Sequence, residues 1–297
     1  MWRVVDIGGQ GYSLKSADNK LIVNKDGTLL SEIPYNDINS IIIHSYDTVL
    51  TSSLMRDCAH RGIPITICDE KHLPAGILLS SNQNQETGKR LGFQINASLP
   101  KKKTIWKEIV EAKLLAQAKV LEISGRLAES QDLVACAKSV KSGDTTNREA
   151  VGARIYFRAL FSDDFSRTDE SFPANGSLNY GYTIVRSAVC RSIVASGLNP
   201  GLSVFHSNSV NSYALADDLM EPLRPMVDFK VFSLLKVINE NQSLSSTLKR
   251  ELISVLTMPV VMNGKKVEMV NAIEMYVQGY LKCLSSKDIK MIFPVLF

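Results

Sequence analysis

Cysteine is sparse and badly placed for structural chemistry in this 297-residue chain. Cys58, Cys68, Cys136, Cys190 and Cys283 are odd in number and irregularly spread, with no CxxC pair. That spacing excludes a zinc ribbon and a disulfide framework, and predicts buried free thiols in a reducing cytoplasm. The opening MWRVVDIGGQ lacks the basic-then-apolar order of a secretory signal. No apolar run reaches the roughly 18 residues of a membrane span, so no membrane is expected. A P-loop and a Gly-x-Ser-x-Gly elbow are both missing. Gly8-Gly9-Gln10-Gly11 fails as a dinucleotide loop because Tyr12-Ser13-Leu14-Lys15 continues as strand where a helix is required. No internal repeat at the period of solenoids or propellers is visible.

What is present is an ordinary globular composition, 45% hydrophobic and 22% charged, with a formal net charge of +4. The charge is unevenly spread. Residues 1–85 carry seven basic and nine acidic side chains, residues 86–158 carry fourteen and eight, and the remainder thirteen and thirteen. The central excess is where a polyanion would be gripped.

Residues 1–82 read as a β-rich domain of stacked hairpins or a sandwich. Turn chemistry at Ala17-Asp18-Asn19 and Lys25-Asp26-Gly27 separates short alternating runs. The unalternating Ile38–His44 predicts a strand buried on both faces, and Thr51-Ser52-Ser53 caps a short helix stopped by Gly62. Polar residues 83–100 read as a linker. From 101 to 297 the apolar period becomes helical. Trp106, Ile109, Val110, Lys113, Leu114, Ala118 and Leu121 mark one face of a long helix ending near Gly125. Further helices are predicted over 129–141, 147–161, 176–196, 211–222, 226–240, 244–256 and 270–285, with an Asn263-Gly264 hairpin between the last two. The class is α+β, a small β-rich domain followed by a larger helical one.

Three segments hold residues able to do chemistry. Thr146-x-x-Glu149 opens a helix and has the pattern of a capping box, which by itself favours a purely structural Glu149. His206 follows an apolar pair, the usual place of a hydrogen-bonded core histidine. His44, His60 and His72 have no comparable acidic neighbourhood in the sequence. Asp217, Asp218 and Glu221 crowd one helical stretch that Pro222 ends or kinks. An imidazole with two or more carboxylates suits Mg²⁺ or Mn²⁺, and beside a basic stretch that donor set fits phosphodiester chemistry. Spacing alone does not bring these segments together.

Their wording goes further. Asp144-Thr145-Thr146-Asn147-Arg148-Glu149, Leu178-Asn179-Tyr180-Gly181-Tyr182, Phe205-His206 to Asn211, and Leu215-Ala216-Asp217-Asp218-Leu219-Met220-Glu221-Pro222-Leu223-Arg224-Pro225 resemble the CRISPR-associated spacer integrase, Cas protein one. Ile33-Pro34 to Ile43, Leu50-Thr51 and Cys68-Asp69-Glu70-Lys71-His72-Leu73-Pro74 resemble its type II branch. The resemblance spans about Gly11 to Val270.

It implies a catalytic, metal- and DNA-binding helical domain, and a homodimer formed through the β-rich domain. A small adaptation partner (Cas protein two) completes a heterohexamer. By resemblance, Glu149, His206 and Glu221 hold Mg²⁺ or Mn²⁺. Asp217 or Asp218 assists, Arg224 orients Glu221, and Lys101, Lys102 and Lys103 grip double-stranded DNA, although a solvated basic helix start explains those lysines equally well. The implied reaction inserts prespacer 3′-hydroxyl ends at the leader-proximal repeat of a CRISPR array. A metal-dependent nuclease for branched or single-stranded nucleic acid, and a non-catalytic DNA-binding scaffold, are the competing readings.

Overall fold

The computed structural model describes residues 3–70, 74–80, 86–169, 172–206, 211–235, 238, 244–286 and 289–296. The N-terminal part builds two four-stranded sheets. Strands β2 (Tyr12–Ala17), β3 (Lys20–Lys25) and β4 (Thr28–Pro34) form an antiparallel meander that β6 (Val49–Leu50) joins in parallel. Its turns are the expected ones. Asp18 and Asn19, then Asp26 and Gly27, take positive φ, which a two-residue hairpin needs to match strand twist.

The second sheet departs from stacked hairpins. Strands β1 (Arg3–Ile7), β5 (Ile38–Ile43) and β7 (Ile65–Cys68) run parallel, and only β8 (Pro74–Leu78) is antiparallel. Helix α1 (Ser52–Arg61) makes the crossover between β6 and β7. Thr51 accepts a bond from the Leu54 amide at 3.3 Å, and Gly62 stops the helix in a left-handed conformation.

Leu14 and Leu21 from one sheet, Ile41 and Ile43 from the other, and Leu54 and Cys58 from α1 share one buried cluster. Ile42 and Cys68 face the opposite way, into the core of the helical part. Every residue of β5 is buried, Asn39 and Ser40 included, which explains why its sequence shows no apolar–polar alternation.

The helical part comprises α2 (Thr87–Ile95), α3 (Leu99–Ile123), α4 (Leu127–Lys138), α5 (Arg148–Leu160), α6 (Pro173–Ala195), α7 (Ala214–Met220), α8 (Arg224–Ser233), α9 (Ser246–Ile253) and α10 (Met269–Ser285). A hairpin of β9 (Pro259–Met262) and β10 (Lys265–Glu268) precedes α10, and β11 (Val295–Leu296) pairs with β9.

The expected linker over 83–100 needs correction. It contains α2, and Leu99 already belongs to α3. Two glycines and a weak apolar period hide this helix in the sequence. Tertiary bonds hold it instead: the Gln94 amide donates to the Asn199 carbonyl at 3.1 Å, and Arg90 to the Ser196 carbonyl at 2.9 Å. Much of the tail of the helix expected over 226–240 lies outside the described residues, as does His72.

Helices α3 and α5 approach closely at a glycine. A Cβ on Gly152 would sit 2.1 Å from Leu114 Cδ2, so any larger residue would have to displace the buried Leu114 side chain for α5 to lie this close to α3. Glu149, one turn earlier on α5, is thereby brought against Lys113, the residue before Leu114.

Candidate functional site

Glu149 begins α5, and the structure removes its capping role. Asp144, buried and at φ 46°, accepts the Arg148 amide at 2.8 Å on Oδ1 and the Glu149 amide at 3.0 Å on Oδ2. The capping-box pattern at Thr146 is thus unused, because Asn147 turns left-handed and Asp144 takes the donors. The Glu149 carboxylate instead meets Lys113 Nζ at 2.7 Å. On its other side the same ammonium meets Glu221 Oε2 at 2.5 Å. Glu221 opens the 3₁₀ turn Glu221–Leu223, where Pro222 ends α7. Arg224 Nε stands 2.9 Å from Glu221 Oε1, an ion pair without hydrogen-bond alignment.

His206 is joined to this cluster through Asp218. Its Nδ1 lies 2.5 Å from Asp218 Oδ1, while Oδ2 of that fully buried carboxylate accepts the amides of Val204 at 2.7 Å and Phe205 at 2.8 Å. Trp106 supports the same loop, stacking on Phe205 at 4.5 Å and meeting the His206 ring edge-on at 5.1 Å. Asp217 lines the same cavity but is held by partners of its own. Arg186 grips it in a fork, at 2.6 and 2.8 Å, and Asn211 donates to it at 2.7 Å. Like charges crowded on one helical stretch repel, and here each of Asp217, Asp218 and Glu221 has its own partner.

The electrostatics follow from these pairings. Burial works against ionised Glu221, but Arg224, Lys113 and His206 together hold its carboxyl below the usual range. Burial likewise opposes the Lys113 ammonium, and Glu221 and Glu149 raise it nevertheless. The Asp218 hydrogen bond raises His206, with Glu149 and Glu221 adding to it across the site. A cavity of about 520 Å³ opens here, with Arg167, Asn179, Tyr182, Arg186, His206 and Glu221 on its wall.

Among the described residues, no three His, Cys, Asp or Glu side chains are gathered as a ready-made metal cluster. The donors nonetheless fit a hard divalent cation. Two carboxylates from different elements already enclose a cation, the Lys113 ammonium, and an imidazole fixed through Nδ1 stands near both. All five cysteines are buried and free, and none belongs to this cluster.

Several features were missed or misjudged in the sequence. Lys113 was legible only as one cation on an otherwise apolar helix face. Arg167 and Arg186 carried no motif. His44 does have an acidic neighbour in space: its Nε2 lies 3.2 Å from Asp6, which Lys249 also approaches at 3.3 Å. The three lysines at the start of α3 divide. Lys101 donates to the Ser286 carbonyl at 2.7 Å, whereas Lys103 is exposed, with its stem against Gly143 in the loop before α5.

The family model for CRISPR associated protein Cas1 matches residues 6–252. The chain belongs to the Cas1 family. The CRISPR-associated endonuclease Cas1 of Neisseria meningitidis serogroup C (strain 8013) is 34% identical over 291 residues, covering 98% of this chain and 95% of that protein. A Cas1 endonuclease of Francisella tularensis subsp. novicida (strain U112) is 26% identical over 294 residues, covering 90% and 91%. Among solved structures, a casposase bound to integration product superposes with a TM-score of 0.81 at 22% identity, covering 97% of this chain and 92% of that one. A Cas1 protein from Thermotoga maritima gives 0.80 at 18%, covering 97% and 98%. These likenesses show the Cas1 fold, a β-rich N-terminal part followed by a helical one. Among the described residues, no helix is long and apolar enough to cross a membrane.

Proposed function

We propose that this Cas1 is the catalytic subunit of CRISPR adaptation, a metal-dependent integrase that joins prespacer 3′-hydroxyl ends to the leader-proximal repeat. The observation that carries the reading is the enclosure of one cationic position by Glu149 and Glu221, beside a His206 whose Nδ1 is taken by Asp218. A bound Mg²⁺ or Mn²⁺ supplies polarisation of a phosphoryl oxygen and activation of the attacking hydroxyl. Glu149, Glu221 and His206 Nε2 are the groups to hold it. Asp218 keeps the imidazole turned, and Arg224 keeps Glu221 turned.

The arginines at the cavity wall neutralise phosphates and position the two strands, which is much of what a phosphoryl transfer asks of a protein. One phosphodiester forms as another breaks. The attacking hydroxyl loses its proton and the displaced strand ends in a hydroxyl, so no ATP is consumed.

The assembly is argued from relatives. One neighbour is a Cas6-RT-Cas1–Cas2 complex, matched with a TM-score of 0.74 over 95% of this chain and 35% of that one. The casposase neighbour carries integration product. On this reading the chain works as a homodimer with the small Cas2-type partner on double-stranded DNA, and the basic start of α3 contributes to the phosphate grip.

The test is a joining assay containing the small partner, a labelled duplex with free 3′-hydroxyls and a repeat-bearing plasmid. Label transferred to the plasmid with Mn²⁺, and lost with excess chelator, is the expected result. Cleavage without transfer would favour the nuclease reading suggested by the relatives' name, because water can replace the hydroxyl at the same site. Full joining in excess chelator would overturn the proposal.

A further inference from the structure

We propose that Lys113 is the resident counterion of this site: its ammonium stands where a divalent cation would bind between Glu149 and Glu221, and binding displaces it. The proposal rests on the metal reading above. Lys113 lies on the buried face of α3 among Ile109, Val110 and Leu114, and is itself 9% exposed. A charge on such a face is costly unless paired. Here it is paired twice, at 2.7 Å to Glu149 and 2.5 Å to Glu221, by carboxylates arriving from α5 and from the turn after α7.

The pairing has two consequences. Without metal, Lys113 ties three elements together and prevents the two glutamates from repelling one another inside the protein. With metal, the same oxygens are needed by the incoming ion, and two cations cannot share a position a few ångströms wide. Measured affinity is therefore the attraction of the carboxylates for the ion less the cost of breaking both contacts to Lys113. The folded metal-free form is kept stable at the expense of tight metal binding.

The experiment is calorimetric titration of the full chain with Mn²⁺, without DNA, alongside metal-free thermal melting. Wild type is compared with Lys113→Met, which keeps stem length and removes charge, and Lys113→Gln, which also keeps a hydrogen-bond donor. Both should bind Mn²⁺ about tenfold more tightly, or ~1.4 kcal/mol. They should melt below wild type without metal and gain more than wild type when Mn²⁺ is added. Lys113→Arg keeps the charge and should bind no more tightly than wild type, which preserves a test if the neutral variants fold poorly. Equal or weaker Mn²⁺ binding by the neutral variants, or tighter binding by the arginine variant, would overturn the counterion role. Glu149→Gln separates the two readings. If it binds Mn²⁺ as wild type does, or if no form binds at all, the metal reading itself fails.

Discussion

Nδ1 of His206 lies 2.5 Å from Oδ1 of Asp218, a carboxylate with no exposed surface whose other oxygen is taken by two backbone amides. The carboxylate thus fixes both the loop and the ring it carries, and among the described residues no hydrogen bond engages Nε2. Asp218→Asn keeps the shape but turns an amide N–H against a donor. Joining should fall by roughly 10–100-fold, the usual cost of losing a group that orients a metal-ligating histidine. Metal-free melting should also drop. Unchanged joining at equal protein would show that the pair does not orient His206 for catalysis.

The N-terminus of α5 gives a contrast between two neighbours. Asp144→Ala should cost about 0.5–2 kcal/mol of stability, because two amides lose their acceptor. Thr146→Ala should be near neutral, since Thr146 is exposed and the Glu149 amide is already bonded. Denaturant melts of the two variants check this. The reverse order would restore the capping box.

Asp228 predicts a pH dependence. It is fully buried beneath the cavity wall, and burial pushes its carboxyl up to about 6 despite the Tyr182 hydroxyl bonded to it and the nearby Arg167 and Arg224. The folded value exceeds the unfolded one, so the protonated form is favoured by folding. Its contribution is complete below about pH 4 and is lost as pH rises through about 6, amounting to roughly 3 kcal/mol. Asp228→Asn cannot ionise. The melting-temperature difference, wild type minus Asp228→Asn, should therefore be larger near pH 4 than near pH 7.5. Parallel pH profiles for the two proteins would refute this.

The lysines at the start of α3 should separate in salt titrations. DNA affinity should fall with a log–log slope of about −0.9 for each phosphate neutralised on duplex. Lys102 and Lys103, changed together to Ala, should flatten that slope and weaken unrelated sequences equally. Lys101→Ala should change it little, because its ammonium is held by the Ser286 carbonyl. No flattening by the double variant would move the DNA path away from α3.

Legibility in the sequence tracked how local each feature is. The long helix over Leu99–Ile123 and the short one closed by Gly62 were readable because period and capping are properties of neighbours along the chain. Parallel pairing of β1 with β5, across an intervening meander, leaves no local mark. Helix α2 was hidden because Gln94 and Arg90 stabilise it through residues about a hundred positions away. At the site, motif wording named Glu149, His206 and Glu221, yet spacing favoured a capping Glu149. Only the left-handed turn at Asn147, with Asp144 bonded beneath it, frees that carboxylate. Lys113 was visible as a cation within an apolar stripe, but its two partners lie 36 and 108 residues away.

The most direct test of the account is strand joining by Glu149→Gln with Mn²⁺, measured on protein whose melting and duplex affinity are recorded in parallel. Gln preserves shape and helix start but removes the negative charge a divalent cation requires. Joining should fall by about a thousandfold, or ~4 kcal/mol of transition-state stabilisation, while the fold persists and DNA binding survives. Near-normal joining by this variant would contradict the account, and the cation position between Glu149 and Glu221 would have to be abandoned.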